Sequence, residues 1–279
     1  MKNVLLPFVL LCSFSLHAQY YYNDIISARE ITRQMKTYLA NKVKMVSAAG
    51  YTPQGSKATD FAEVQEIKEN GKALKITTNS NLTHNVFYNR FDLQGWLESI
   101  TDSSLGIQSV TTYQYNAAGM ITQVENKIND TATDFNQTET HKWIYSASGK
   151  VEKMWRIING ADSLEVRFSP DENGNIGDEK TFRNGIETGT VYYYFDDKKR
   201  LTDIVRYNTR LKKLLPDIMF EYDDNDRVLQ KITTTSSLHL GYLIWRYIFD
   251  EKGLKTKEAL FNGNKEITGK IEYTYTFVQ

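Results

Sequence analysis

Cysteine is almost absent: Cys12 is the single copy in 279 residues, and it lies inside an N-terminal apolar stretch. Beyond that stretch the chain has no thiol, which excludes disulfides, thiolate metal sites and a cysteine nucleophile together. Histidine is scarce. His84, His141 and His239 stand far apart, in no H-x-x-H or H-E-x-x-H arrangement, and no metal site is expected from them. Excess charge is missing too, since Lys+Arg and Asp+Glu both total 34. No net field therefore draws in nucleic acid or an anionic membrane surface. Past the N-terminus no apolar run approaches the ~18 residues a membrane-crossing helix needs. Elements of the form G-x-S-x-G, G-x-x-x-x-G-K-[ST] and G-x-G-x-x-G are absent, so acyl transfer, nucleotide hydrolysis and dinucleotide binding lack support, and no cofactor is expected.

What is present begins with an export signal over residues 1–18. Lys2 supplies the positive start, Val4 to Leu16 the apolar core, and Leu16-His17-Ala18 a cleavage site before Gln19. Leu11 precedes Cys12 where a lipoprotein peptidase takes a small residue, so lipidation is not expected. The expected location is the periplasm, the outer cell surface or the medium. Residues 19–59 read as an N-terminal helix and linker. Ser27-Ala28-Arg29-Glu30 has the form of a capping box, and Ile31, Met35, Leu39, Val43 and Val46 follow at helical spacing, which predicts a helix over 27–49 that ends near Gly50.

Residues 60–279 repeat. The turn glycine or its replacement recurs as Gly71, Gly95, Gly119, Gly149, Gly174, Lys199, Asp226 and Gly253, at intervals of 24, 24, 30, 25, 25, 27 and 27. A period of this size indicates stacked units, each too small to bury its own apolar face. The turn has the form D-x-x-G: Asp or Asn bonds the backbone two residues on, and Gly takes a positive φ. Gly71 reads as a weak first copy, and Pro170 with Asp171 as a distortion of the copy at Gly174. Asn159-Gly160, Asn184-Gly185 and Asn262-Gly263 read as two-residue hairpins between units. Two strands per ~26-residue unit predict a mainly β chain, a long antiparallel meander of roughly 16 strands.

Strand residues two apart share a face. Tyr113 and Tyr115, Trp143 and Tyr145, Tyr193 and Phe195, Phe220 and Tyr222, Tyr247 and Phe249, and Tyr275 and Phe277 thus form an aromatic ladder on one side. A flat sheet would expose that ladder, so the sheet must curl into an open or barrel-like form. At ~4.8 Å per strand the roll is roughly 24 Å across, room enough for rings and a helix that covers an opening.

The pattern aromatic-x-aromatic-Asp-x-x-Gly-x-Leu, seen in YQYNAAGMITQV, YYYFDDKKRLTDIV, FEYDDNDRVLQK and WRYIFDEKGLKTK, resembles the YD repeats of Rhs-type proteins over about residues 85 to 279. With the signal, it is similar to secreted proteins of the Bacteroidetes. The resemblance implies a β-rich shell or wrap and carbohydrate binding. FRNGIETGTVYYYF and FNGNKEITGKIEYTYTF resemble MORN-type repeats.

The acidic clusters Asp171-Glu172, Asp196-Asp197 and Asp223-Asp224-Asn225-Asp226 fall at repeat turns, where Asp and Asn serve conformation before catalysis or calcium. Tyr192 and Tyr194 point opposite to the buried ladder, and Trp96 and Trp155 join them as candidate ligand-binding aromatics, since rings stack on the apolar faces of sugars. The leading reading is an exported, non-enzymatic β-repeat protein that presents a binding or scaffolding surface at the cell envelope, with a glycan or an envelope protein as partner. The alternatives are a glycoside hydrolase with carboxylates inside the curled sheet, or a partner that neutralises a toxin. Asp130-Thr131-Ala132 and Asp162-Ser163-Leu164 resemble short O-glycosylation sequences of exported Bacteroidetes proteins. Intact-mass measurement on the exported chain is expected to place its first residue at Gln19; a mass that retains residues 1–18 contradicts the export reading.

Overall fold

The computed structural model describes residues 19–80, 83–104, 107–130, 132–209, 211–234 and 241–278. Residues 1–18, read above as an export signal, lie outside the described residues, as do Thr131 and His239. The chain starts as a π-helical turn, Tyr21–Ile26, that runs into α1 (Ser27–Ala40). The strands follow as β1 (Val43–Tyr51), β2 (Lys57–Lys68), β3 (Ala73–Ser80), β4 (His84–Phe91), β5 (Leu97–Ser104) and β6 (Ile107–Tyr115). Next come β7 (Ile121–Asp130), β8 (Phe135–Tyr145), β9 (Val151–Ile158), β10 (Asp162–Pro170), β11 (Ile176–Arg183) and β12 (Ile186–Phe195). The last six are β13 (Leu201–Asn208), β14 (Lys213–Tyr222), β15 (Val228–Thr234), β16 (Tyr242–Phe249), β17 (Lys255–Phe261) and β18 (Ile267–Phe277). Every strand pairs antiparallel with its sequence neighbours, and β18 pairs with β1, so the 18-stranded sheet closes into a barrel.

The expected meander is there, at 18 strands rather than roughly 16, with β1 added at its start. The expected helix over 27–49 is corrected at both ends. Ser27 is no cap: its hydroxyl donates to the Tyr22 carbonyl (3.1 Å) inside a helical path that begins upstream, and Glu30 pairs with Arg33 instead (2.6 Å). The helix ends at Ala40 because Lys42 takes a positive φ of 53°, and Val43 and Val46 belong to β1. A stripe at steps of four and three cannot distinguish a longer helix from a helix followed by an alternating strand. The expected linker is therefore strand, and the division at residue 59 falls inside β2.

The D-x-x-G turns all lie at one rim. In the turn at 92–96 the Asp92 amide donates to the Trp96 carbonyl (3.0 Å), while Asp92 Oδ1 accepts the amides of Gln94 and Trp96 (both 2.9 Å). Asn116, Asp196 and Asp223 make the same bonds in theirs. So does Asp171, which leaves the turn at Gly174 undistorted. Gly71 stands in a 3-10 turn rather than a D-x-x-G copy. Asn262-Gly263 opens a five-residue turn with Lys265 at φ 64°, not a two-residue hairpin; Asn159-Gly160 and Asn184-Gly185 do carry the paired positive φ of one.

After each such turn the second strand carries one extra residue. Phe91 faces Leu97 and Arg90 faces Ser99, and the same step follows Tyr115, Tyr145, Phe195, Tyr222 and Phe249. These bulges tighten the local twist and help the sheet curl. The ladder faces inward, with Trp143 and Tyr193 buried and Phe277 emerging at the rim. Its tyrosines stitch one unit to the next. The hydroxyls of Tyr115, Tyr145, Tyr222 and Tyr275 each donate, at 2.7 Å, to the carbonyls of Leu97, Ile121, Leu201 and Lys255, the residue after the preceding turn.

The left-handed position of the turn gives a test. Gly119 sits at φ +76° with Trp96 packed over it, and a Cβ there would lie 2.7 Å from the indole. Lys199 occupies the matching position at φ 60°. We expect Lys199→Gly to stabilise the barrel by about 1 kcal/mol and Gly119→Ala to destabilise it by roughly 1–2 kcal/mol or more, read from urea unfolding midpoints.

Candidate functional site

The helical segment crosses the barrel mouth ringed by the D-x-x-G turns. At its C-terminal half, Arg33 donates to the Asp226 carbonyl (2.8 Å), Asn41 to the Lys252 carbonyl (3.3 Å), and Thr32 Oγ1 accepts the Leu97 amide (3.2 Å). At its N-terminal end it dips below the rim, where the amides of Tyr20 and Tyr21 donate to the two carboxyl oxygens of Glu179 on β11 (3.1 and 3.0 Å). The segment is thus tied to opposite walls.

The lower anchor is built from charges. Asp24 Oδ2 accepts from His141 Nδ1 (2.7 Å) and Trp143 Nε1 (3.0 Å). His141 Nε2 meets Glu139 Oε1 (2.8 Å), and Arg156 grips both oxygens of Glu139 (2.8 and 2.7 Å). A ring with a carboxylate on each nitrogen donates from both, which is the imidazolium form. Burial opposes that charge, but Asp24 and Glu139 outweigh it and raise His141 to about 9. Burial likewise opposes charge on Glu139; the bonds from His141 and Arg156 overcome it and lower the carboxyl to about 2. Glu179 is fully buried, and burial lifts it to about 7 against the bonds it accepts from Tyr21, Tyr193 and Tyr20. Asp24 and Glu139 each bond His141 in a buried cluster, which docks the helix against β8.

Beneath the helix lies a chamber of about 280 Å³. Asp24, Ser27, Ile31 and Gln34 line it at steps of three, four and three, one helix face. The wall supplies Glu63, Thr78, Asn85, Asp102, Thr111 and Glu258 among rings that include Phe87, Tyr113, Tyr247 and Tyr273. Asn85, Asp102 and Ser109 stand within two residues of the far ends of their strands, so the chamber reaches toward the opposite rim. Glu63 accepts from Gln65 (2.7 Å) and Thr78 (3.0 Å), and burial raises its carboxyl above the usual range. On the other side of the helix a space of about 500 Å³ is lined by Phe220, Tyr222 and Phe249 with Lys231, whose ammonium sits over the rings of Tyr22 and Phe220.

The outer wall mixes ion pairs with apolar side chains such as Ile232, Ile244 and Phe261, which stand in one cross-strand row. Lys68 pairs with Glu66 (2.7 Å), Lys127 with Glu125 (2.8 Å), Arg167 with Glu165 (2.7 Å) and Lys257 with Glu272 (3.2 Å), all on the outward face. A lysine or arginine facing lipid near the bilayer midplane costs about 2–4 kcal/mol, so these positions suit water better than lipid. Among the described residues no helix is long and apolar enough to cross a membrane.

The four aromatics singled out from sequence do not converge. Tyr192 and Tyr194 face outward on β12, opposite Asp178 and Asp203. Trp155 shares that face on β9, in a cross-strand row with Glu165 and Phe182. Trp96 lies apart at the rim, its ring 5.1 Å from Tyr115, where it covers the next turn. Asp24, Glu63, Glu139, Glu179 and Glu258 gave no sequence signal, because each reads as an ordinary charge on a polar segment until barrel closure fixes which way it points. His141 was visible as a histidine, but not its partner 117 residues away.

No family model matches the chain, and no curated protein does. Among solved structures, the Photorhabdus luminescens Tc holotoxin pore bearing a TccC3 mutation aligns at 15% identity over 77% of this chain and 12% of that one, with a TM-score of 0.34. The chain therefore spans about an eighth of the toxin's length. A porin-like protein from Bacteroides uniformis aligns at 11% identity over 84% of this chain and 98% of that one, with a TM-score of 0.38. One from Bacteroides vulgatus aligns at 10% identity over 85% and 99%, at 0.29. Likenesses at this level assign no function to the chain.

The anchor makes stability depend on pH with a defined sign. Glu179 and His141 are both raised in the folded chain, so the stability linked to them is complete below about 4.5 and 6.5 and is lost as pH rises through about 7 and about 9. Glu139 is lowered, so its contribution is present above about 4.5 and is lost as pH falls through about 2. We expect the thermal midpoint to decline between pH 5 and 9.5, with Glu179→Gln removing the earlier part of the decline and His141→Gln the later part. A midpoint that rises over this interval contradicts the assignment.

Proposed function

We propose that the chain is an exported, non-enzymatic β-barrel that works in water at the cell envelope and presents an outer aromatic face to glycans. The observation that carries this reading is the outward surface of β9 to β13. Phe182, Tyr192, Tyr194 and Tyr207 stand there among Arg167, Lys180, Asp178 and Asp203, with Tyr194 and Tyr207 about half exposed. Flat rings beside carboxylates and cations suit a sugar, whose apolar face stacks while its hydroxyls bond the charged neighbours. Arg167 already stacks on Phe182 (4.3 Å), which holds part of the platform rigid. The tyrosine stitch and the D-x-x-G turn support kinship with YD repeats.

A hydrolase is the second reading, supported by one observation: Glu63 and Glu258 line the same chamber, and burial favours the acid form of Glu63. An acid and a nearby carboxylate are what glycoside hydrolysis uses. A glycan-array screen of the exported barrel separates the two. Binding that falls about tenfold in Tyr194→Ala, with the thermal midpoint unchanged, supports the outer face. A blank array overturns it, and hydrolysis of a bound glycan that is lost in Glu63→Gln favours the enzyme.

A further inference from the structure

The chamber carries an inference of its own, independent of the outer face. Glu258, on β17, has its side chain almost wholly buried. Its Oε1 accepts from both the Lys255 ammonium and the Tyr273 hydroxyl (2.7 Å), while its Oε2 has no hydrogen-bond partner. A buried carboxylate oxygen left unpaired is costly, and native interiors pair nearly all such atoms. The charges nearby do not supply a donor. Glu63 and Glu258 line the chamber against one cation, Lys255, which is already held by Oε1, and Asp24 is bonded to His141 and Trp143. The lining is therefore short of positive charge, and its open valence is an acceptor.

We propose that the chamber binds a small organic cation, its ammonium group paired with the Glu258 carboxylate beside Glu63 and its apolar part lying against Phe87 and Tyr113. The volume of about 280 Å³ limits the guest to a few heavy atoms beyond the ammonium. Aromatic faces add attraction to a cation that they do not offer an anion. An ammonium also offsets the charge of Glu258, which helps to raise the Glu63 carboxyl. Entry is from the rim opposite the helix, toward which Asn85, Asp102 and Ser109 extend the chamber.

Titration of the exported barrel with n-butylammonium, and with 1-butanol as its neutral isostere, followed by ligand-observed NMR and calorimetry, tests this. The ammonium is expected to bind and the alcohol not to. Glu258→Gln is expected to weaken binding about tenfold or more. Lys255→Met acts in the opposite direction: it frees Glu258 Oε1 and removes a competing cation, so affinity for the ammonium rises. Thermal midpoints establish that each variant is folded, and Glu63→Gln, which keeps its bonds to Gln65 and Thr78 within reach, stands in if Glu258→Gln is not. Equal binding of the alcohol, unchanged affinity in the glutamine variant that folds, weaker binding in Lys255→Met, or no binding of the ammonium each overturns the proposal.

Discussion

The hydrogen bonds between β1 and β18 are the constraint on which the rest depends. An antiparallel meander ends in two strands with unpaired backbone groups, and each such edge invites another chain. Here the first and last strands pair over Val43 to Tyr51, so the edges satisfy each other. Closure sets the circumference, and eighteen strands make a ring too wide for side chains alone to fill. A helix across one mouth and a chamber below it follow from that width.

The helix is held by two kinds of contact suited to where each lies. At the rim it bonds turn carbonyls, which are fixed because Asp or Asn side chains already hold the turn backbone. Deeper in, away from water, it is held by ion pairs and by Glu179, groups that are costly to bury unless matched. The second set is therefore the more demanding: removing one partner strands the others. Polar residues continue below into the chamber, so the interior is apolar around the aromatic ladder and hydrophilic beyond it.

The turns were legible in the sequence because their chemistry is local. Asp92 or Asn116 bonds amides two and four residues away, and a positive φ calls for Gly, so the motif reads directly. The ladder was legible because pairs such as Tyr193 and Phe195 keep strand parity right up to the turn. Parity fails after the turn, where the bulge sends two successive residues outward, as with Glu98 and Ser99. Interior carboxylates such as Glu179 and Glu258 could not be placed by counting alone. Lys255 stands where Leu97, Ile121, Leu201 and Val228 follow their turns, and its ion pair with Glu258 explains that departure. β1 was hidden for another reason: Val43 and Val46 continue the helical stripe, and only the reversal at Asn41 and Lys42 separates them from it.

Ring closure by the terminal strands bears on how the chain reaches this state. Ser47 on β1 accepts from Thr274, 227 positions away, so the joint is among the most remote in the molecule. Hairpins can nucleate one after another along the chain, but β1 gains its second neighbour only when the final segment arrives. Contacts of such long range repay their loop entropy late, which slows folding. A nascent or C-terminally clipped chain would stay an open ribbon with its rings accessible, and so a target for chaperones and proteases.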